Sequence, residues 1–168
     1  MRMTIVVDVQ NDFVDGALGS PQAQAMIPNL VEKLKNIKNE LIFTQDTHKD
    51  NYLETAEGKF LPVTHCIKNT SGWLIAPEIQ EFTLLKTATV IEKAAFGSTR
   101  LPSLLKKYDE VELCGLCTDI CVISNALLIK AFYPDKTIII DSKCCAGSTD
   151  EAHKAALLVM SKCGCVIN

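Results

Sequence analysis

An α/β sandwich on a mostly parallel sheet is the fold this sequence predicts, on three observations. Short apolar, often β-branched runs recur along the chain (MTIVV, LIFT, ATVI, VELCGL, TIII). Stretches with apolar residues at helical spacing lie between several of them, and a polar or charged residue stands at or just past the end of most. Strands alternating with helices imply a parallel sheet, and such sheets bind ligands beyond the carboxyl ends of their strands. A chain of 168 residues fits one domain, 1–168, with room for a sizeable core.

Taken in order, Met3 to Val7 is a short run ending at Asp8, as a strand buried on both faces reads. Polar, Gly-containing residues follow to Ser20. A helix is expected from Pro21 to about Lys38, with Ile27, Leu30, Val31, Leu34 and Ile37 on one face, and Pro28 should kink it or delay its start. Leu41 to Thr44 is the second strand, with Gln45, Asp46, Thr47 and His48 just past its end. The segment Lys49 to Ser71 has no clear periodicity, and loops of that length are more often functional than idle. Ala88 to Ile91 is the third strand, ending near Lys93. Ser98 or Thr99 opens a short helix through Lys107. Val111 to Leu116 is the fourth strand, apolar apart from Glu112. Thr137 to Ile140 is the fifth, ending at Asp141, a residue with no evident role. Asp150 to Ser161 reads as a helix and Cys165 to Ile167 as a sixth strand.

Composition narrows the function. With 48% hydrophobic and 22% charged residues and a formal net charge of -3, the chain is neither a disordered segment nor a basic nucleic-acid binder. No apolar run approaches the ~20 residues that span a membrane. The start MRMTIVVDVQ reaches an aspartate too early for a secretory signal, and the 8 cysteines include the adjacent pair Cys144 and Cys145. These features lead to the expectation of a reducing, cytoplasmic setting. CGLC (Cys114 to Cys117) has CxxC spacing, but a second pair is missing, so core packing is preferred to redox or metal work.

The most informative stretch is Val111 to Phe132, where a strand passes through Gly115 into a helix with Ile120, Ile123, Leu127 and Ala131 at helical spacing. If Thr118 or Asp119 caps that helix, Cys121 lies in its first turn, where unpaired N–H groups favour a thiolate. The alternative is a small core side chain. Asp8, Asp46 with His48, Lys93 and Cys121 each fall at or shortly after the end of a different strand. One sheet edge would therefore gather an acid, a possible metal pair, an amine and a thiol.

Five separated segments, VVDVQNDF (Val6 to Phe13), TQDTH (Thr44 to His48), HCIKNTSG (His65 to Gly72), EKAAF (Glu92 to Phe96) and GLCTDICV (Gly115 to Val122), resemble the isochorismatase-like cysteine hydrolases, and among them nicotinamidases most. The resemblance implies a three-layer α/β/α sandwich, a parallel sheet of about six strands with helices on both faces. It implies a triad of Asp8, Lys93 and Cys121, an oxyanion hole from the backbone N–H groups of Cys117 and Cys121, and a cis peptide bond between Leu116 and Cys117. It further implies cleavage of a small carboxamide, nicotinamide foremost, through a Cys121 thioester with no organic cofactor. Lys93 near the sulfur would lower the thiol pKa from ~8.5, making Cys121 the most reactive cysteine, and Asp8 would move the proton.

Asp46, His48 and His65 supply O and N ligands suited to zinc, with iron or manganese as alternatives. Glu57 is the candidate fourth ligand and Glu54 its alternative, standing in for a histidine usual after that point. Asn69 stands where the motif usually has glycine, and AAFGST replaces the usual tyrosine-serine-alanine-phenylalanine run after the lysine. Phe13 and Phe96 are candidates to stack on a flat substrate ring, and Trp73 to form the pocket rim or a subunit contact. The expected partner is a small amide, with neither nucleic acid nor membrane, and relatives often form homo-oligomers.

Overall fold

Beyond Arg2, every residue of strand β1 (Arg2–Val7) is buried, as happens where helices cover both faces of a sheet. The computed structural model describes residues 1–86 and 88–168. Around β1 lie β2 (Glu40–Asp46), β3 (Thr89–Lys93), β4 (Glu110–Leu116), β5 (Thr137–Ala146) and β6 (Val166–Ile167), in the spatial order β3-β2-β1-β4-β5-β6. Every pairing is parallel. The helices are α1 (Asn11–Val14), α2 (Pro21–Asn36), α3 (Ala56–Phe60), α4 (Pro77–Leu85), α5 (Leu101–Leu104), α6 (Ile123–Phe132) and α7 (Asp150–Lys162). Right-handed crossovers send α2 and α4 to one face and α6 and α7 to the other, consistent with the contacts of α2 with α4 and of α6 with α5 and α7. The chain works outward from β1 to β3, then returns to place β4 on the other side of β1. That switch point opens a crevice above the ends of β1 and β4.

Local chemistry sets the boundaries. Ser20 Oγ accepts the Ala23 N–H at 3.0 Å, so α2 begins at Pro21; Pro28 lies inside the helix and does not delay it. Strand β2 runs on through Gln45 and Asp46, which therefore end the strand instead of following it. Strand β5 continues past Asp141 to Ala146. Asp141 is thus no strand-end residue: its carboxylate takes Lys33 Nζ at 2.7 Å, and the same ammonium reaches Glu112 at 3.0 Å. The Thr4 hydroxyl donates to Glu112 at 3.1 Å, which explains how an acid sits inside the apolar β4 run.

Two expectations fail. The helix sought from Ser98 to Lys107 is the single turn α5, because Tyr108 N–H bonds the Leu105 carbonyl and turns the chain into β4. Helix α4 escaped the periodicity reading: it buries Ile79, Phe82 and Thr83 but leaves Leu84 and Leu85 exposed, so its apolar residues do not form one stripe. The segment after His48 also holds structure of its own, a 3₁₀ turn at Tyr52–Glu54 and then α3. Among the described residues no helix is long and apolar enough to cross a membrane.

Gly115, in β4, leaves no room for a side chain against β1. Its φ is +116°, and a Cβ there would lie 2.2 Å from the Val7 carbonyl oxygen. Gly115→Ala should therefore lose about 2 kcal/mol or more from strain and overpacking together. Urea titration should show an earlier midpoint, and an unchanged midpoint would show that β1 and β4 can separate freely.

Candidate active site

The ends of β1, β2, β3 and β4 bring Asp8, Asp46, Lys93 and Cys121 together. Asp8 is fully buried and held at φ +47°, a left-handed conformation uncommon for any residue but glycine and imposed here by its surroundings. The Thr44 hydroxyl donates to Asp8 Oδ1 at 2.7 Å. Lys93 Nζ lies 2.7 Å from Asp8 Oδ2, 3.1 Å from Asp46 Oδ1 and 3.5 Å from Cys121 Sγ. It also donates to the Ala95 carbonyl at 3.0 Å. Cys121 sits in a wide π-type turn, Thr118–Val122, that precedes α6. Neither Thr118 nor Asp119 caps that turn. Thr118 Oγ1 pairs with His153 Nδ1 at 2.8 Å, and Asp119 accepts the N–H and hydroxyl of Ser148. Those bonds tie the turn to α7 and the loop before it.

Burial decides the charge states. It pushes the Cys121 thiol well above the usual thiol range, and the Asp8 carboxylate adds to the effect; Lys93 pulls the other way and loses. The expectation of a resting thiolate is therefore corrected. Burial also works against the Lys93 charge, but Asp8, Cys121 and Asp46 outweigh it and hold the ammonium. Asp8 itself is raised, by burial first and against the pull of Lys93, which makes it a stronger base than an exposed carboxylate.

Beside Lys93 lies a second cluster. His48 Nε2 is 2.8 Å from Asp46 Oδ2 and 3.3 Å from Glu57 Oε1, and His65 Nε2 is 3.5 Å from Asp46 Oδ2. His65 Nδ1 stands 2.7 Å from the Val63 carbonyl, which makes it the N–H donor and frees Nε2 as a ligand. His48 Nε2 and Glu57 Oε1 are buried without a well-oriented hydrogen-bond partner. One donor atom from each of Asp46, His48, Glu57 and His65 falls within 4.8 Å of the others. Unpaired nitrogen and oxygen donors so gathered fit a divalent cation. Glu57 joins this group; Glu54 is exposed and does not.

Two further residues, Tyr52 and Asn125, were not singled out in the sequence. Tyr52, fully buried, packs its ring against His48 and His65 with centroids 4.6 Å and 4.9 Å away. Asn125 accepts the Ser98 N–H at 2.8 Å and donates to the Cys121 carbonyl at 2.8 Å, stapling the loop after β3 to the cysteine turn. Its signal was available: one amide in the apolar run VISNALLI, four residues after Cys121.

A cavity of about 330 Å³ opens onto the cluster, lined by Phe13, Phe96, Cys117 and Cys121, with Asp46 and His65 in its wall. Trp73 is not part of that lining; its indole N–H donates to Thr47 Oγ1 at 2.9 Å. Cys114 is a core residue, fully buried in β4, and the 8 cysteines are all free. The Leu116–Cys117 peptide bond is cis.

The isochorismatase domain model matches residues 2–168. The chain belongs to the isochorismatase family. Its relatives include the isochorismatase family protein PncA of Bacillus subtilis, 29% identical over 93% of this chain and 92% of its own, and the nicotinamidase of Schizosaccharomyces pombe, 28% identical over 91% and 86%. Two solved structures cover nearly all of both chains. The pyrazinamidase/nicotinamidase of Streptococcus mutans superposes with a TM-score of 0.83 at 27% identity, covering 100% of each. The pyrazinamidase of Pyrococcus horikoshii in complex with zinc gives 0.81 at 27%, covering 99% and 98%. The all-parallel six-stranded sheet is thus the sheet of this family.

Cys163 is the exposed cysteine, so exposure alone would label it ahead of Cys121. The informative measurement is dependence on the Asp8 charge. In mass mapping after iodoacetamide near neutral pH, Asp8→Asn should speed Cys121 alkylation roughly 10-fold or more, because it removes a carboxylate that raises the thiol and leaves Lys93 to favour the thiolate, and should leave Cys163 unchanged. Equal acceleration at both cysteines, or at neither, would show that the Asp8 charge does not set the state of the thiol.

Proposed function

We propose that this protein is a cysteine amidohydrolase that converts nicotinamide, or a close heteroaromatic carboxamide, into the acid and ammonia. The observation that supports this most is one buried ammonium, Lys93, in contact with both Asp8 and Cys121, whose side chain lines the cavity. Phe13 and Phe96 flank that space and suit a flat ring.

In this reading Asp8 takes the Cys121 proton as sulfur attacks the amide carbon, so the S–H bond breaks as the S–C bond forms. The carbonyl oxygen becomes an oxyanion facing the N–H groups of Cys117 and Cys121; Cys121 lies in the first turn of its helix, where N–H groups lack intrahelical partners. Collapse breaks the C–N bond, and Asp8 passes its proton to the departing nitrogen, releasing ammonia. Water then gives a proton to Asp8 and adds to the thioester; loss of sulfur frees the acid, and the proton returns to Cys121. Lys93 keeps its charge throughout and offsets the negative charge that moves between Asp8 and sulfur.

Asp46, His48, Glu57 and His65 would hold a divalent ion, zinc first among the candidates, which when bound supplies a Lewis acid at the cavity wall to orient a ring nitrogen. No organic cofactor is required by these steps. The run AAFGST after Lys93 keeps the related small-amide hydrolases as the second reading, since it changes the residues beside Phe96.

Ammonia release across nicotinamide, pyrazinamide and carbamoyl amines tests the assignment. Nicotinamide should be turned over fastest, and Cys121→Ala, Asp8→Asn and Lys93→Ala should each cost roughly 10³-fold or more in kcat, as members of one catalytic unit do, with circular dichroism unchanged. Turnover confined to carbamoyl amines would select the second reading, and wild-type turnover by Cys121→Ala would end both. Elemental analysis should find zinc or another divalent ion in the purified protein and not in an Asp46→Ala plus His65→Ala variant. Chelation should raise KM more than it slows Cys121 alkylation; equal metal content in the two proteins would leave these side chains as loop residues.

A further inference from the structure

The segment from the end of β1 into α1 carries two polar side chains, Gln10 and Asp12, that none of these steps uses. Gln10 is fully buried. Its Oε1 accepts the Asp46 N–H at 2.7 Å, while its Nε2 donates to the Asp46 carbonyl at 2.9 Å and to the Trp73 carbonyl at 2.8 Å. One amide thus grips Asp46 from both sides of its α-carbon. Asp12 acts on the other ligand segment: its Oδ2 accepts the Cys66 N–H at 2.7 Å, one residue beyond His65. Cys66 has φ +48°, a conformation its surroundings must hold in place, and its carbonyl accepts the His48 N–H at 2.9 Å.

We infer that Gln10 and Asp12 are positioning residues for the metal ligands. They touch neither ion nor substrate; they fix where the side chains of Asp46 and His65 stand. With Asp8 this makes one short segment responsible for both halves of the site, the proton carrier at its start and the supports of the ligand cluster at its next two alternate positions. The inference rests on the reading of Asp46, His48, Glu57 and His65 as ligands. Hydrogen bonds to the main chain of a ligand act as do bonds to its ring or carboxylate, by removing the alternative orientations that a bound ion would otherwise have to select against.

The test is a Zn²⁺ titration of the metal-stripped full-length protein in competition with a chromogenic chelator. Gln10→Glu keeps an oxygen for the Asp46 N–H but turns an acceptor toward two carbonyls. Asp12→Ala removes the acceptor for Cys66, whereas Asp12→Asn keeps an oxygen for Cys66 and gives up the charge and the second acceptor, which takes the longer Ala17 N–H bond at 3.3 Å. A Cβ on Gly72 would stand 2.1 Å from Asp12 Oδ2, so Gly72→Ala displaces the carboxylate without deleting it. Gln10→Glu, Asp12→Ala and Gly72→Ala should bind Zn²⁺ roughly 10–100-fold more weakly. Asp12→Asn should stay close to wild type, and metal-free alkylation of Cys121 should be unchanged in all four. Should Gln10→Glu not fold, the other three variants decide. Wild-type affinity in Asp12→Ala and Gly72→Ala, or equal weakening by Asp12→Asn and Asp12→Ala, would overturn the inference alone. A wild-type protein that binds no Zn²⁺ would overturn the metal reading beneath it.

Discussion

The site depends on one buried cation. Lys93 is almost wholly removed from water, and an isolated ammonium there would cost several kcal/mol. Asp8 at 2.7 Å and Asp46 at 3.1 Å offset that cost, and each needs Lys93 for the same reason. Because Asp46 also faces His48 and His65, the ammonium joins Asp8 and Cys121 to the cluster of Asp46, His48, Glu57 and His65. Asp8, Asp46 and Glu57 gather around that single ammonium, and burial raises both Asp8 and Glu57. A divalent ion held by Asp46, His48, Glu57 and His65 would favour the ionised carboxylates, an electrostatic complement to the coordination chemistry of that donor set.

Much of this was legible in the sequence, for a specific reason. A parallel strand buried on both faces has no room for charge along its length, so the first charge after an apolar run marks its carboxyl end, where the sheet binds ligands. Asp8 announces itself that way; Lys93 does so only after Glu92, at the end of the edge strand β3, and Cys121 follows from the turn after β4. The same rule misplaced Asp141, because β5 runs on past it and an acid can sit inside a strand when a neighbouring helix supplies a lysine. Lys33 is that lysine, and nothing local to TIIID reveals it.

What stayed hidden involves partners distant in sequence. The resting thiol of Cys121 is set by burial summed over every element packed around it, whereas its helix turn and nearby lysine both point toward a thiolate. Gln10 reads as an ordinary polar residue after a strand until β2 is placed beside it. Tyr52 lies in a segment without periodicity, and its two histidine neighbours come from either side of α3. Asn69 is an instructive departure. It occupies φ +69°, in the left-handed region where asparagine is the usual substitute for glycine, so a residue that looked like a divergence from the family motif keeps the backbone the motif requires.

The resting thiol also bears on how such a site survives between turnovers. A thiolate is both the nucleophile and the form that oxidants attack, so a cysteine kept ionised in an open cavity would be exposed to damage. Here burial and the Asp8 carboxylate favour the proton on sulfur, and that same carboxylate, itself made more basic by burial, stands beside the lysine that contacts the sulfur. In the proposed reaction, proton transfer would become favourable when attack on a carbonyl begins to move negative charge from sulfur to oxygen and toward the N–H groups of the cysteine turn. Lys93 contacts both groups but lies closer to Asp8, at 2.7 Å, than to the sulfur, at 3.5 Å, so it favours the carboxylate and helps leave the resting proton on sulfur. Nucleophilicity is thereby coupled to the presence of an acyl carbon, and the low dielectric that raises the resting pKa is also what strengthens the electrostatic stabilisation of the oxyanion once substrate has displaced water.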